Sequence, residues 1–129
     1  MALLRDVDCV RIPVPDLESG LAFYRDRLGH ELIWRTPDAA GLRLPGGDTE
    51  LVLRVDRPEP EVDFLVDSAD EAAAAMVDAG GAVITPPFDI PVGRVAVVAD
   101  PFGNPLCLLD LSKGRYVTGD DGTVTGVGR

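Results

Sequence analysis

The sequence contains little of what most catalytic and metal sites are built from. Its 129 residues include one histidine, two cysteines and one tryptophan, and aromatic residues make up 5% of the chain. With His30 as the only imidazole, Ser-His and Cys-His catalysis have no support, and no GxGxxG or P-loop motif is present. Cys9 and Cys107 form no CxxC pair, so the chain has no disulfide framework, and the expected location is a reducing cytoplasm.

Long apolar runs and an excess of positive charge are also absent. No run approaches the roughly 20 residues that a membrane helix needs, and the first ten residues, MALLRDVDCV, lack the apolar stretch of a signal peptide. The net charge is −10, which makes nucleic acid a poor partner and a cationic ligand a better one. These absences leave a single soluble globular domain over residues 1–129, with neither a membrane nor a nucleic acid among its expected partners.

What the chain does contain is an internal repeat. The stretch VRIPVPDLESGLAFYRDRLGHELI (10–33) aligns without a gap with VDFLVDSADEAAAAMVDAGGAVIT (62–85). Each copy has an alternating apolar strand, a helix cap at Asp16 or Ser68, an amphipathic helix and a glycine stop. The apolar stripe and caps predict helices over 17–28 and 69–79.

Three short strands are predicted after each helix, so the expected fold is α+β with two βαβββ modules, 7–55 and 61–111. The stretch PPFDIPVGR (86–94) is the least regular part of the second module. It is predicted to be an irregular loop, either at the rim of a binding site or in a dimer contact. The Gly-rich segment 113–129 is predicted to be a flexible tail.

Two motifs support a family resemblance. VPDLESGLAFYRDRLG in the first module and VADPFGNPLCLLD in the second fit the patterns DLxxxLxFYxxxLG and DPxGN. The βαβββ duplication with these motifs resembles the vicinal oxygen chelate (VOC) superfamily, the group of glyoxalase I, bleomycin-resistance proteins and extradiol dioxygenases. The resemblance covers about residues 7–111. It implies a single VOC domain in which two modules, related by pseudo-twofold symmetry, form a glyoxalase-like cup, often completed in a homodimer.

Metal-using members of the superfamily place four ligands, usually histidines and glutamates, on the first and last strands of the two modules. The resemblance transfers those positions to Cys9, Glu50, Glu61 and Cys107. This set lacks histidine and mixes thiols with carboxylates, so no cofactor is expected. The favoured reading of Cys9 and Cys107 is as small buried apolar side chains. An atypical divalent metal site and a disulfide between the two thiols are the alternatives.

Strand alternation adds further residues to the face that would line the cup. Arg11, Arg54 and Asp63 share the side of Glu50 and Glu61, and Arg94 enters the following strand. These charges either form a closed ion network or bind a polar ligand. We expect Arg11 to pair with Glu61 or Asp63, so that removing Arg11 alone costs more stability than removing Arg11 and Glu61 together. Trp34 and Phe102 could each form part of the cup wall or part of the core.

The function that follows is a glyoxalase/bleomycin-resistance-like protein, homodimeric, that binds a small and preferably cationic molecule without the usual VOC metal. The alternative is a metal- or carboxylate-dependent lyase, isomerase or dioxygenase of the superfamily, with Glu61 as the candidate base. A structural dimer module is the third reading. Glyoxalase I activity is not expected, because that chemistry needs a metal to stabilise an enediolate.

Overall fold

A computed structural model describes residues 2–129, and the chain divides into two units. The N-terminal unit comprises Cys9–Glu61 and Tyr116–Gly126, and the C-terminal unit comprises the residues up to Asp8, Val62–Arg115 and Val127–Arg129. The mixed α+β order contains βαβββ twice, as predicted. The elements in chain order are β1 (Asp6–Pro13), α1 (Leu17–Leu21), β2 (Leu32–Arg35), β3 (Ala39–Arg43), β4 (Glu50–Arg54), β5 (Glu61–Leu65), α2 (Ala69–Asp78), β6 (Ala82–Ile90), β7 (Gly93–Ala99), β8 (Pro105–Asp110), β9 (Arg115–Thr118) and β10 (Val124–Gly128).

The sheet of the N-terminal unit has the strand order β2-β3-β4-β1. Strand β1 runs parallel to β4, while β3 pairs antiparallel with both β2 and β4. Helix α1 covers one face of this sheet, where Leu17 and Leu21 pack with Leu42 and Leu53. Because side chains alternate along a strand, Glu50, Val52 and Arg54 of β4 lie on the opposite face.

The first helix is shorter and less regular than predicted. Asp16 caps α1, since its Oδ1 accepts a hydrogen bond from the Ser19 N–H at 2.7 Å. A π-helical segment follows over Ala22–Arg27, and the Leu28 N–H donates to the Phe23 carbonyl at 3.0 Å. The wider π turn shifts the phase of the helix, so Leu28, the last residue of the predicted helix, is exposed. Among the described residues, no helix has both the length and the apolar character that a bilayer crossing requires.

The C-terminal unit repeats the same arrangement with the strand order β5-β8-β7-β6. Strand β5 is parallel to β8, and the other pairs are antiparallel. The Ser68 hydroxyl caps α2 by accepting a hydrogen bond from the Glu71 N–H. Small side chains on α2, Ala72 and Ala73, pack on Val98 and Leu108 of the sheet.

Two segments predicted to be irregular contain strands instead. Most of 86–94 belongs to β6 and β7, which form a hairpin with Ile90 opposite Gly93. The predicted tail carries β9 and β10, which pair as a second, two-stranded sheet. Both corrections involve proline-rich or glycine-rich sequence that reads locally as loop.

Candidate functional site

Parallel strands β1 and β4 place several of the expected site residues on one sheet face of the N-terminal unit. Their register pairs Cys9 with Glu50, Arg11 with Val52, and Pro13 with Arg54. This face lies opposite α1, because Leu53, the neighbour of Arg54 and Val52, packs in the α1 core. The predicted alternation of these two strands is therefore confirmed.

A charged network occupies one end of this face. Arg54 is only 4% exposed, and its guanidinium binds the Asp56 carboxylate through Nε at 2.9 Å and Nη2 at 3.2 Å. Its Nη1 lies 3.4 Å from Glu61 Oε1, and Arg11 Nε lies 3.6 Å from Glu61 Oε2. The expected pairing of Arg11 with Glu61 is thus present, and Glu61 also has a second cationic partner. The hydrogen bonds from Arg54 hold the pKa of Asp56 below its ordinary value, against the opposing effect of burial.

Trp34 and Glu50 lie on the same face, toward the end occupied by Cys9. The Trp34 indole N–H donates to Glu50 Oε1 at 2.8 Å. The indole lies directly over Gly41, its partner on β3: a Cβ at position 41 would lie 2.1 Å from Trp34 Nε1. A glycine in the strand is therefore required for this position of the indole. Of the two aromatics that were open to either reading, Trp34 is buried in a core cluster and Phe102 is 86% exposed.

The other end of the face is apolar. Cys9 is 3% exposed and belongs to a cluster with Trp34 and Val52, against which Tyr116 and Val124 pack. The Trp34 and Tyr116 ring centroids are 4.8 Å apart. Burial raises the pKa of the Tyr116 hydroxyl above its ordinary value; the charge of Arg11 lowers it, and the charges of two carboxylates raise it further. The favoured reading of Cys9 as a small buried side chain agrees with this packing.

In the C-terminal unit, Asp63 and Cys107 lie opposite each other in the β5–β8 register. Both are buried, Asp63 with 2% exposure, and the thiol sulfur and a carboxylate oxygen lie within 4.8 Å of each other. A carboxylate and a thiol this close present one hard and one soft donor on the same strand pair.

Arg94 does not lie on the expected face. It shares the side of Ala96 and Val98, which pack in the α2 core. Its guanidinium binds Asp70 at 2.7 Å and Asp89 at 3.1 Å. We expected Arg94 to line the cup, and the structure corrects this, because strand β7 begins at Gly93 and the alternation from that start directs Arg94 toward α2.

Sequence reasoning missed two residues of the site, Asp56 and Tyr116. Asp56 opens the stretch DRPEP, which lies between the two predicted modules and was assigned no role, although a carboxylate two residues after a buried arginine is a natural ion-pair partner. Tyr116 lies in the stretch read as a flexible tail. A lone tyrosine in a Gly-rich polar segment was the only available signal that this stretch packs on the rest of the chain.

The second partner of Glu61 changes the expected effect of removing Arg11. Because Arg54 still neutralises Glu61, Arg11→Ala is expected to cost less than about 1 kcal/mol, with a coupling to Glu61→Gln of about 0.5 kcal/mol. Urea unfolding of the two single variants and the double variant measures this coupling. If Arg11→Ala alone lowered the free energy of unfolding more than the double substitution did, Arg54 would not compensate for the loss of Arg11. That is the result expected from the sequence alone.

Comparison with known proteins identifies the family. The model of the Glyoxalase/Bleomycin resistance protein/Dioxygenase superfamily matches residues 6–108. "Putative glyoxylase CFP32" of Mycobacterium bovis is 41% identical over 98 residues, a match that covers 69% of this chain and 37% of the relative. The protein of the same name from Mycobacterium tuberculosis matches equally. This chain thus spans only 37% of the length of these curated relatives.

Solved structures show the same fold at lower identity. Methylmalonyl-CoA epimerase from Mycobacterium tuberculosis is 20% identical with a TM-score of 0.71, over 85% of this chain and 90% of that one. The Mn(II)-bound glyoxalase from Novosphingobium aromaticivorans is 22% identical with a TM-score of 0.60, over 100% of this chain and 42% of that one. From its two βαβββ repeats, its sequence match and its fold, the chain belongs to the Glyoxalase/Bleomycin resistance protein/Dioxygenase superfamily.

Proposed function

We propose that this chain binds a small molecule on the sheet face of Arg11, Glu50 and Arg54, and that it does so without the metal ion of the metal-using members. The observation that carries the proposal is the position of Glu61 between two guanidinium groups. A divalent cation bound at Glu61 would stand beside Arg11 and Arg54, and like charges at such distances repel strongly in a partly buried site. The charge of Glu61 is therefore already balanced by the two guanidinium groups.

The other two family positions of the N-terminal unit also fit a metal poorly. Glu50 accepts a hydrogen bond from Trp34, which uses one of its carboxylate oxygens. Cys9 lies among apolar side chains, which raise the cost of the thiolate that a metal requires. These three positions therefore do not fit the family's metal, and we assign no step of the function to one.

The ligand class follows from charge. The chain carries −10 overall, and carboxylates of Glu50, Asp56 and Glu61 lie on or beside the proposed binding face. A positively charged group on the ligand would be attracted by this field and would bind most readily at Glu50, because Glu61 and Asp56 are already paired with arginines. We therefore propose a small cationic molecule, such as an antibiotic or a metabolite, as the ligand.

The experiment combines metal analysis with ligand screening on the purified protein. Protein expressed with added manganese, nickel and zinc is expected to retain well under one metal ion per chain. None of these metals should raise its melting temperature, whereas a cationic ligand at about 100 times its Kd adds about 2.7 kcal/mol to the free energy of unfolding. The protein should not isomerise the methylglyoxal–glutathione adduct. A metal content near one ion per chain, or isomerisation of that adduct, would contradict the proposal.

A carboxylate-dependent enzyme is the second candidate, and one observation favours it. The carboxyl group of Asp63 is almost fully buried next to the thiol of Cys107, and buried carboxyl groups are frequent general bases. Turnover of any superfamily substrate that is lost in Asp63→Asn, with the fold retained, would establish this function in place of pure binding.

We also propose that the chain forms a homodimer in the cytoplasm. Strand β6 is the outermost strand of its sheet, and its Ile84 and Phe88 are exposed. An exposed apolar strand is usually covered, and a second copy is the partner we propose. Light scattering should give the mass of two chains, and a single-chain mass at micromolar concentration would contradict this. The cytoplasmic location is supported by Cys9 and Cys107, both of which are buried thiols.

A further inference from the structure

Strands β9 and β10 with their turn form a hairpin, here called the C-terminal hairpin, that lies beyond the family match, which ends at residue 108. Its residues Tyr116 and Val124 pack on the cluster of Cys9, Trp34 and Val52. That cluster is on the sheet face opposite α1, the face on which the ligand is proposed to bind. A segment beyond the residues of the family match thus covers part of the proposed binding face.

We propose that the C-terminal hairpin is a displaceable cover, and that a ligand reaches the Trp34 end of this face only when the hairpin is released. The inference rests on the proposed function for the position of the ligand. The release itself is a property of the chain alone.

Among the described residues, few contacts join the hairpin to the sheet of the N-terminal unit. One is the ring contact between Trp34 and Tyr116, and a second is the packing of Val124. A third is a hydrogen bond of 2.8 Å from the Arg35 N–H to the Gly122 carbonyl, beside an isolated bridge between Arg35 and Thr123. This attachment to β2 is a single bridge, whereas β3 and β4 pair along five residues. Elements held by few contacts open at lower cost than the core of the same protein.

The hairpin also has its own internal bonds, so it can move as one piece. The Gly119 N–H donates to the Thr123 carbonyl at 2.9 Å, and the Thr125 hydroxyl donates to the Val117 carbonyl at 3.2 Å. Val117, next to Tyr116, is 48% exposed and points away from the cluster. Release therefore breaks the contacts to Trp34 and Arg35 without unpairing the hairpin's own strands.

Trp34 reports this release directly, because it is the only tryptophan and it lies under Tyr116. In Tyr116→Ala the hairpin is expected to be released more often, so acrylamide should quench Trp34 fluorescence about threefold more strongly while the sheet stays folded. Val117→Ala is the matched control: it removes a neighbouring side chain on the exposed side of the same strand and should leave the quenching unchanged.

Hydrogen exchange of the unmutated protein provides a second measurement. The Arg35 amide is expected to exchange about 100-fold faster than the amides of the β3–β4 ladder, because it is released with the hairpin. If Tyr116→Ala leaves quenching unchanged, or if the Arg35 amide exchanges only at the rate of global unfolding, the hairpin is part of the core and the proposal is wrong. If Tyr116→Ala fails to fold, the quenching of Trp34 in Val124→Ala and the exchange rate of the Arg35 amide test the proposal instead. None of these measurements uses a ligand or a metal, so their failure is distinguishable from failure of the proposed function.

Discussion

Gly41→Ala is expected to lower the free energy of unfolding by about 3 kcal/mol, near the upper end of the range for overpacking a core. The added methyl group would lie 2.1 Å from Nε1 of Trp34 and 2.4 Å from its Cε2, both far inside contact distance. The indole has no easy alternative position, because it is 7% exposed and its N–H is bonded to Glu50. The substitution must therefore displace the ring or separate β2 from β3.

Chemical denaturation measures the loss, and the fluorescence of Trp34 shows whether the indole has moved. Gly46→Ala is the matched control: no heavy atom lies within 4 Å of its would-be Cβ, and its φ is not positive. Its effect should stay within about 0.5 kcal/mol. If Gly41→Ala were as mild as Gly46→Ala, the close packing of the indole on β3 would be incorrect.

Asp110→Asn is expected to cost about 3 kcal/mol at neutral pH, and the cost should shrink in acid. The buried carboxylate of Asp110 accepts hydrogen bonds from the backbone N–H groups of Ala69, Arg94 and Ser112 and from the Ser112 hydroxyl. An amide has only one acceptor oxygen, and its NH₂ group would face backbone donors. The start of α2 and the start of β7 both depend on this one side chain.

The pH dependence follows from the direction of the pKa shift. Burial by itself raises the pKa of Asp110, but the hydrogen bonds from Ala69, Ser112 and Arg94 outweigh it and hold the pKa below its ordinary value. A lowered pKa in the folded state stabilises the protein above the unfolded pKa of about 3.9, and this stabilisation is lost as the pH falls through the folded value. The difference in the free energy of unfolding between the original protein and Asp110→Asn should therefore become smaller below about pH 4.

Unfolding curves at several pH values test this. The exposed Asp67 provides the control, and Asp67→Asn should show a small difference at every pH. If Asp110→Asn lowered the free energy of unfolding by the same amount from neutral to acid pH, the charge of the carboxylate would contribute nothing to stability.

The repeated fold was predictable because its signals are local. Caps at Asp16 and Ser68, alternation in the strands and glycine stops all depend on near neighbours in the sequence. The β6 error has a physical reason: Pro86 and Pro87 lack N–H donors and suggest a loop, yet an outer strand tolerates them because it pairs on one side only. Sequence reasoning treated them as breakers without knowing that the strand was outermost.

The site was predictable in part, and its limits are those of long-range contacts. Alternation placed Arg11, Glu50 and Arg54 on one face, because it depends only on period two. The bidentate pairing of Arg54 with Asp56 and the packing of Tyr116 on Trp34 depend on how loops and the chain end fold back. No periodicity encodes such contacts.

The two buried thiols provide a way to measure the stability of each half of the chain. Cys9 belongs to the N-terminal unit and Cys107 to the C-terminal unit, and the chain has no other cysteine. A buried thiol reacts with an aromatic disulfide reagent only when its surroundings open. Single-cysteine variants would thus give two separate labelling rates in one folded protein. Equal rates would mean that the duplicated halves open as one cooperative body, and unequal rates would show which half opens first.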